Sequence, residues 1–115
     1  MSPKKDALSG NTTMLILRLL AEKELYGYQI IEELARKSEN VFQLKTGTLY
    51  PILHGLEKDG MVTSYDQGTE HARVRKYYKL TSKGKNLLKT KREEWTAYTK
   101  AIGRIMEGGV CDVFA

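Results

Sequence analysis

The chain has 115 residues, 41 % of them hydrophobic and 29 % charged, which suits one globular domain with a modest core and excludes a disordered chain. Its longest apolar run, Met14 to Ala21, is interrupted by Arg18 and falls short of the roughly 20 apolar residues of a membrane span. The net charge is +5, the lone Cys111 has no partner for an internal disulfide, and Lys4 and Lys5 are followed by Asp6 with no cleavage site after the apolar run, so a cytoplasmic protein with no secretory signal and no membrane association is expected.

Residues 1–10 read as a mobile arm. A first helix is expected to begin near Asn11–Thr13, whose side chains are good N-caps. Met14, Leu15, Ile16, Leu17, Leu19 and Leu20 make it apolar nearly all round, so it is buried on several sides, a second subunit being one candidate for the cover. Glu22-Lys23-Glu24 returns the chain to water. Tyr26-Gly27-Tyr28 then opens a second helix, with Tyr28, Ile31, Leu34 and Ala35 as its apolar positions and Glu32, Glu33, Arg36 and Lys37 on its wet face. Ser38-Glu39-Asn40 ends it, and Val41 to Leu44 form a short apolar connector.

A third helix starts between Thr46 and Thr48, which puts Pro51 in or near its first turn, where a missing N–H costs little. Leu49, Ile52, Leu53 and Leu56 face inward, and Gly60 suits the left-handed position after a helix. The second and third helices with their connector make a helix-turn-helix. Met61 to Tyr65 and Val74 to Leu80 read as the two strands of a β wing around a polar tip, Asp66 to His71. Thr81 caps a long last helix, and Gly84 in its first turn permits close packing. Along that helix Leu88, Trp95 and Ile102 recur every seven residues, as do Lys91, Tyr98 and Ile105, giving the two inward positions of a coiled-coil seam. Gly108-Gly109 is expected to end it. The expected architecture is therefore mainly α: an arm (1–10), a winged helix-turn-helix (11–81), a dimerisation helix (82–108) and a tail (109–115).

The positive charge is uneven. Residues 41–85 carry eight basic and four acidic residues, whereas residues 1–40 carry six of each. From Arg73 to Lys85 there are six basic residues and no acid. A charge run is most often a solvated face, but this one adjoins a candidate recognition helix, which points to a polyanionic partner.

Tyr26-Gly27-Tyr28, Gly47-Thr48-Leu49-Tyr50-Pro51, Leu53, Leu56-Glu57, Gly60, Lys76-Tyr77-Tyr78, Leu80-Thr81 and Gly84 together resemble the PadR family of bacterial transcriptional regulators. One helix after the wing looks like the shorter branch of that family. The resemblance implies a winged-helix homodimer that binds a palindromic operator, usually as a repressor. It implies dimerisation through the last helix against the first helix of the partner. Some short members bind flat aromatic drugs between two tryptophans, one from each subunit, and Trp95 sits where that tryptophan is expected.

For double-stranded operator DNA, the third helix would enter the major groove by its early residues. The exposed candidates are Lys45, Thr46, Thr48, Tyr50 and His54, the last sharing a face with Tyr50 and otherwise an ordinary surface histidine. Arg73, Arg75 and Lys76 on the second wing strand are candidates for phosphate or minor-groove contacts. Lys4 and Lys5 read as a frayed terminus before they read as DNA contacts. Tyr26, Tyr28, Tyr77 and Tyr78 read as scaffold, and Glu57 as structural or the surface partner of a nearby Arg or Lys. Trp95 either packs at a dimer seam or, meeting its own copy across a two-fold axis, forms a slot for a planar aromatic effector lined by Leu88, Lys91, Tyr98 and Ile102. No catalytic set is expected, since His54 and His71 lie in different elements and no Ser-His-Asp arrangement is suggested. No cofactor or metal is expected either, because one Cys and two His far apart do not make a zinc site. The other open readings are a winged-helix protein-interaction module that touches no nucleic acid and a drug-binding scavenger with incidental DNA affinity.

Overall fold

The computed structural model describes the backbone of residues 3–68 and 73–114 and the side chains of residues 11–68 and 73–107. The elements run α1 (Pro3–Glu22), β1 (Leu25–Tyr26), α2 (Gly27–Lys37), α3 (Thr46–Lys58), β2 (Val62–Gln67), β3 (Arg75–Leu80) and α4 (Ser82–Phe114). Four helices and a small antiparallel sheet make the fold mainly α, as expected.

The core forms where one face of every element converges. Ile16, Leu17, Leu19 and Leu20 of α1 meet Ile30 and Leu34 of α2, and Leu49, Leu53 and Leu56 of α3. Val62, Tyr78 and Leu80 from the sheet and Leu88 from α4 complete it. Each fully buried aliphatic side chain of this kind stabilises the fold by about 1.5–3 kcal/mol. Burial also holds the Tyr78 phenol above its usual range.

Five expectations are corrected. First, α1 begins at Pro3, inside the stretch read as an arm, because Pro is preorganised for a first helical turn and Ser9-Gly10 weakens a helix without forbidding it. Second, α4 continues through Gly108-Gly109 to Phe114 instead of ending there, since each glycine costs only about 1 kcal/mol relative to Ala. Third, the sheet has three strands in the order β1-β3-β2, because Leu25–Tyr26 pairs with Tyr78 and Tyr77. Fourth, Tyr28 is 62 % exposed rather than inward. Tyr26 is occupied by the strand, so α2 starts one residue later, and its inward positions are Gly27, Ile30 and Leu34. Fifth, Pro51 lies beyond the first turn of α3, and the helix runs on through it. Having no N–H, Pro51 gives up the bond to the carbonyl of the residue four earlier, here Gly47.

Two junctions fix how the elements meet. Between α2 and α3, Glu39 and Asn40 take left-handed φ values of 53° and 67°, the Ser38 hydroxyl accepts from the Phe42 N–H at 3.0 Å, and Leu44 is buried. Between β3 and α4, the Gly84 N–H donates to Thr81 Oγ1 at 3.0 Å, the N-cap bond foreseen from the sequence. The Thr81 hydroxyl in turn lies 2.7 Å from the Gly60 carbonyl, which locks the end of α3 to the start of α4. A salt bridge from Glu22 to Lys37 (3.2 Å) ties α1 to α2, and one to Arg18 (3.1 Å) lies within α1; together they hold the Glu22 carboxyl below its usual range, the Lys37 hydrogen bond being the main cause. Arg36 does the same to Glu33.

Candidate nucleic-acid interface

α3 presents its first turn to solvent. Lys45 occupies the N-cap position in an extended conformation (φ −106°, ψ 155°) with no side-chain cap, and its carbonyl accepts from the Thr48 and Leu49 N–H groups at 3.0 and 2.9 Å. Lys45, Thr46, Thr48 and His54 are exposed. Leu49, Leu53 and Leu56 point the other way into the core, so helical periodicity alone turns the polar set outward. Tyr50 and His54 share a face, with ring centroids 6.3 Å apart. Tyr50 differs from its neighbours in being half-buried. Its ring packs against Gly27 at the start of α2.

The wing brings its cations to the same side. Tyr50, Arg73, Arg75 and Lys76 line one cleft of about 580 Å³ together with Val74, Tyr26, Tyr28 and Glu32. Sequence reasoning named the first four and missed Tyr26, Tyr28 and Glu32 as neighbours of the wing. The signal is absent because a two-residue strand carries no alternation to read. Arg75 lies over the Tyr26 ring, its guanidinium carbon 4.8 Å from the centroid. Tyr26 meets Tyr77 edge-on at 5.3 Å, and Tyr77 stacks on Tyr65 at 5.7 Å. Tyr65 donates its hydroxyl to the Glu24 carboxylate, which raises its pKa. Of the four tyrosines read as scaffold, Tyr78 is core and Tyr26 and Tyr77 form this outer aromatic row. Glu57 accepts from the Ser64 hydroxyl, tying α3 to β2, so its partner is a serine rather than a cation.

The residues expected around an effector divide. Leu88 is 7 % exposed and belongs to the core. Lys91 is half-buried. Trp95 is 47 % exposed, and Tyr98, Ile102, Ile105 and Met106 are exposed with it along α4. A groove of about 750 Å³ also runs along α4, lined by Lys85, Leu88, Lys89, Arg92, Lys100 and Arg104 among others. Neither Trp95, Tyr98 nor Ile102 lines it. Lys4, Lys5, His71 and Cys111 lie outside the described side chains. Among the described residues no cluster of His, Cys, Asp or Glu is suited to a metal ion, and no helix is long and apolar enough to cross a membrane.

A helix-turn-helix whose second helix stands beside a cationic β wing, with a long helix extending beyond it, is a winged-helix arrangement. Residues 16–90 match the family described as Transcriptional regulator PadR-like, and the chain belongs to that family. It is 37 % identical over 105 residues to an uncharacterized protein of Lysinibacillus sphaericus, covering 91 % of this chain and 96 % of that one. It is also 37 % identical over 73 residues to the transcriptional regulator Rv3488 of Mycobacterium tuberculosis, covering 64 % of each. Among solved structures it is similar to a transcriptional regulator from Clostridium thermocellum, with a TM-score of 0.80, 36 % identity, and coverage of 86 % of this chain and 96 % of that one. A PadR family regulator from Clostridium difficile R20291 aligns with a TM-score of 0.71 and 33 % identity, covering 84 % and 98 %.

Proposed function

We propose that this regulator binds operator DNA sequence-specifically as a homodimer and represses transcription until a small planar aromatic effector is bound. The observation that carries the DNA reading is the cleft that gathers Arg73, Arg75 and Lys76 beside the exposed first turn of α3. The α3 turn supplies hydroxyl and cationic groups for base edges and phosphates, and the wing cations neutralise the flanking backbone. The homodimer reading rests on the stripe of Trp95, Tyr98, Ile102, Ile105 and Met106, apolar side chains that one protomer leaves in water.

The control is geometric. Two recognition helices in a two-fold dimer fit half-sites about 34 Å apart, or a multiple of that. A planar molecule held near Trp95 alters the crossing of the two α4 helices, and with it that spacing. It acts only by binding one dimer form more tightly than the other.

Binding of the protein to its own upstream promoter, against scrambled duplex of equal length across a salt series, tests this reading. Tight, salt-steep binding to the promoter alone is expected. Equal, weak binding to both sinks it in favour of a protein-interaction module. Saturating effector that leaves operator affinity unchanged sinks the control mechanism.

A further inference from the structure

We propose that Tyr26 is the positioning residue for Arg75, presenting that guanidinium to a DNA phosphate by stacking rather than by ion pairing. The proposal rests on the DNA-binding reading above. A charged side chain at the edge of a wing is ordinarily a flexible tether with many rotamers. A carboxylate partner would order it but would also neutralise it and occupy its donors. Among the described residues the salt bridges join Arg18 and Lys37 to Glu22 and Arg36 to Glu33, and none holds Arg75. The contact that the guanidinium makes is with the face of Tyr26, 4.8 Å from its carbon. A ring face attracts a cation while leaving its charge and its N–H donors available. Those donors then form a fork suited to a phosphate.

The platform is itself held. Tyr26 precedes α2, and its backbone N–H donates to Gln29 Oε1 at 3.1 Å, so the backbone that carries the ring is fixed at the start of the helix-turn-helix. Its edge contact with Tyr77, at an interplanar angle of 77°, is backed by the Tyr77–Tyr65 stack at 14°. The position of Arg75 is thereby referenced to α2 and not to the tip of the hairpin. Arg73 and Lys76, which line the same cleft, show no such ring beneath them among the described residues. The consequence is a division of labour within the wing. Arg75 offers a preset contact, and its two neighbours contribute charge alone.

The test is a double-mutant cycle read as promoter affinity across a salt series, with wild type, Tyr26→Leu, Tyr26→Phe, Arg75→Gln and Tyr26→Leu/Arg75→Gln. Arg75→Gln is expected to lower the salt slope by about 0.9. Tyr26→Leu is expected to weaken binding about three- to tenfold, Tyr26→Phe to retain most of the affinity, and Tyr26→Leu to cost nothing further once Arg75 is Gln. Equal losses for Tyr26→Leu with and without Arg75, or for Phe and Leu alike, overturn the positioning role while leaving the DNA reading intact. Wild-type protein with no salt-steep promoter binding overturns both. The side-chain proton shifts of Arg75 in the unsubstituted protein give a second readout that no folding defect confounds. Ring-current displacement of the Arg75 δ protons is expected, and ordinary shifts refute the stack.

Discussion

The ring of Tyr50 occupies the space that any side chain on Gly27 would need. A Cβ built on Gly27 would lie 2.7 Å from Tyr50 Cζ, closer than atoms approach. Gly27 begins α2 and Tyr50 sits in the first half of α3, so this pair sets how near the two helices of the helix-turn-helix come. Gly27→Ala is expected to displace the half-buried ring and to destabilise the protein by about 1–3 kcal/mol, as overpacking does. Thermal or urea unfolding measures it. Gly27→Ala with Tyr50→Phe tests whether removing the hydroxyl recovers part of the loss.

Gly84 is a stricter case, because its obstacle is backbone. An added Cβ would run into the Met61 carbonyl, with Leu80 Cδ1 at 2.7 Å. A backbone carbonyl just before β2 has no rotamer by which to withdraw. Gly84→Ala is expected to cost more stability than Gly27→Ala, which parallel urea melts of the two variants decide.

Thr81 makes the cap of α4 and reaches the Gly60 carbonyl. Thr81→Val keeps the shape and loses these bonds, with the hydroxyl's contact to the Met61 carbonyl. A loss of about 1 kcal/mol is expected, the usual value of an N-cap side chain, and chemical denaturation at fixed pH checks it.

Each phosphate neutralised contributes about 0.9 to the slope of log K against log salt. Arg73→Gln and Lys45→Gln should each flatten the slope by about that amount, with no change in the preference for promoter over scrambled duplex. Unchanged slopes would place those residues outside the interface.

Trp95 is the lone tryptophan of the chain, so its fluorescence reports on the α4 stripe without ambiguity. Trp95→Ala is expected to weaken self-association in sedimentation experiments and leave the fold intact, since the side chain is half exposed in one protomer. A planar aromatic effector is expected to quench the wild-type signal.

Acid should loosen the link between α1 and α2. The Glu22 carboxyl titrates below its usual range in the folded chain, through Lys37 first and Arg18 after it. A lowered folded pKa means that this contribution is complete above the unfolded carboxylate value and is lost as pH falls through the folded one. Glu22→Gln should therefore differ from wild type at neutral pH and converge with it in acid, in urea unfolding at both pH values. The pair is exposed, so the difference is small and shrinks further with salt.

Much of this protein was legible in its sequence. The apolar spacing of Leu49, Leu53 and Leu56 located α3 and turned Lys45, Thr46, Thr48 and His54 outward, because a 3.6-residue repeat leaves only one inward face. Thr81 and Gly84 marked the start of α4, and the cluster from Arg73 to Lys85 marked the basic wing. Those are local signals, carried by neighbours in the chain. The two ends of the molecule were less legible, because glycine lowers helix propensity without deciding it: α1 begins within the stretch read as an arm, and α4 runs through the Gly108-Gly109 that read as a stop.

The pairing of parts far apart in the chain came from the closed fold. That Leu25–Tyr26 is a strand follows from the hydrogen bonds β3 offers it and not from any pattern of its own. That Tyr26 lies beneath Arg75, that Tyr50 fills the place of a side chain on Gly27, and that Glu57 meets Ser64 are consequences of sheet register and helix packing. Which faces are apolar and where the charge lies follow from the order of residues alone. The closing of the chain on its core determined which of those residues meet, because contacts between distant segments depend on the joint placement of every element between them.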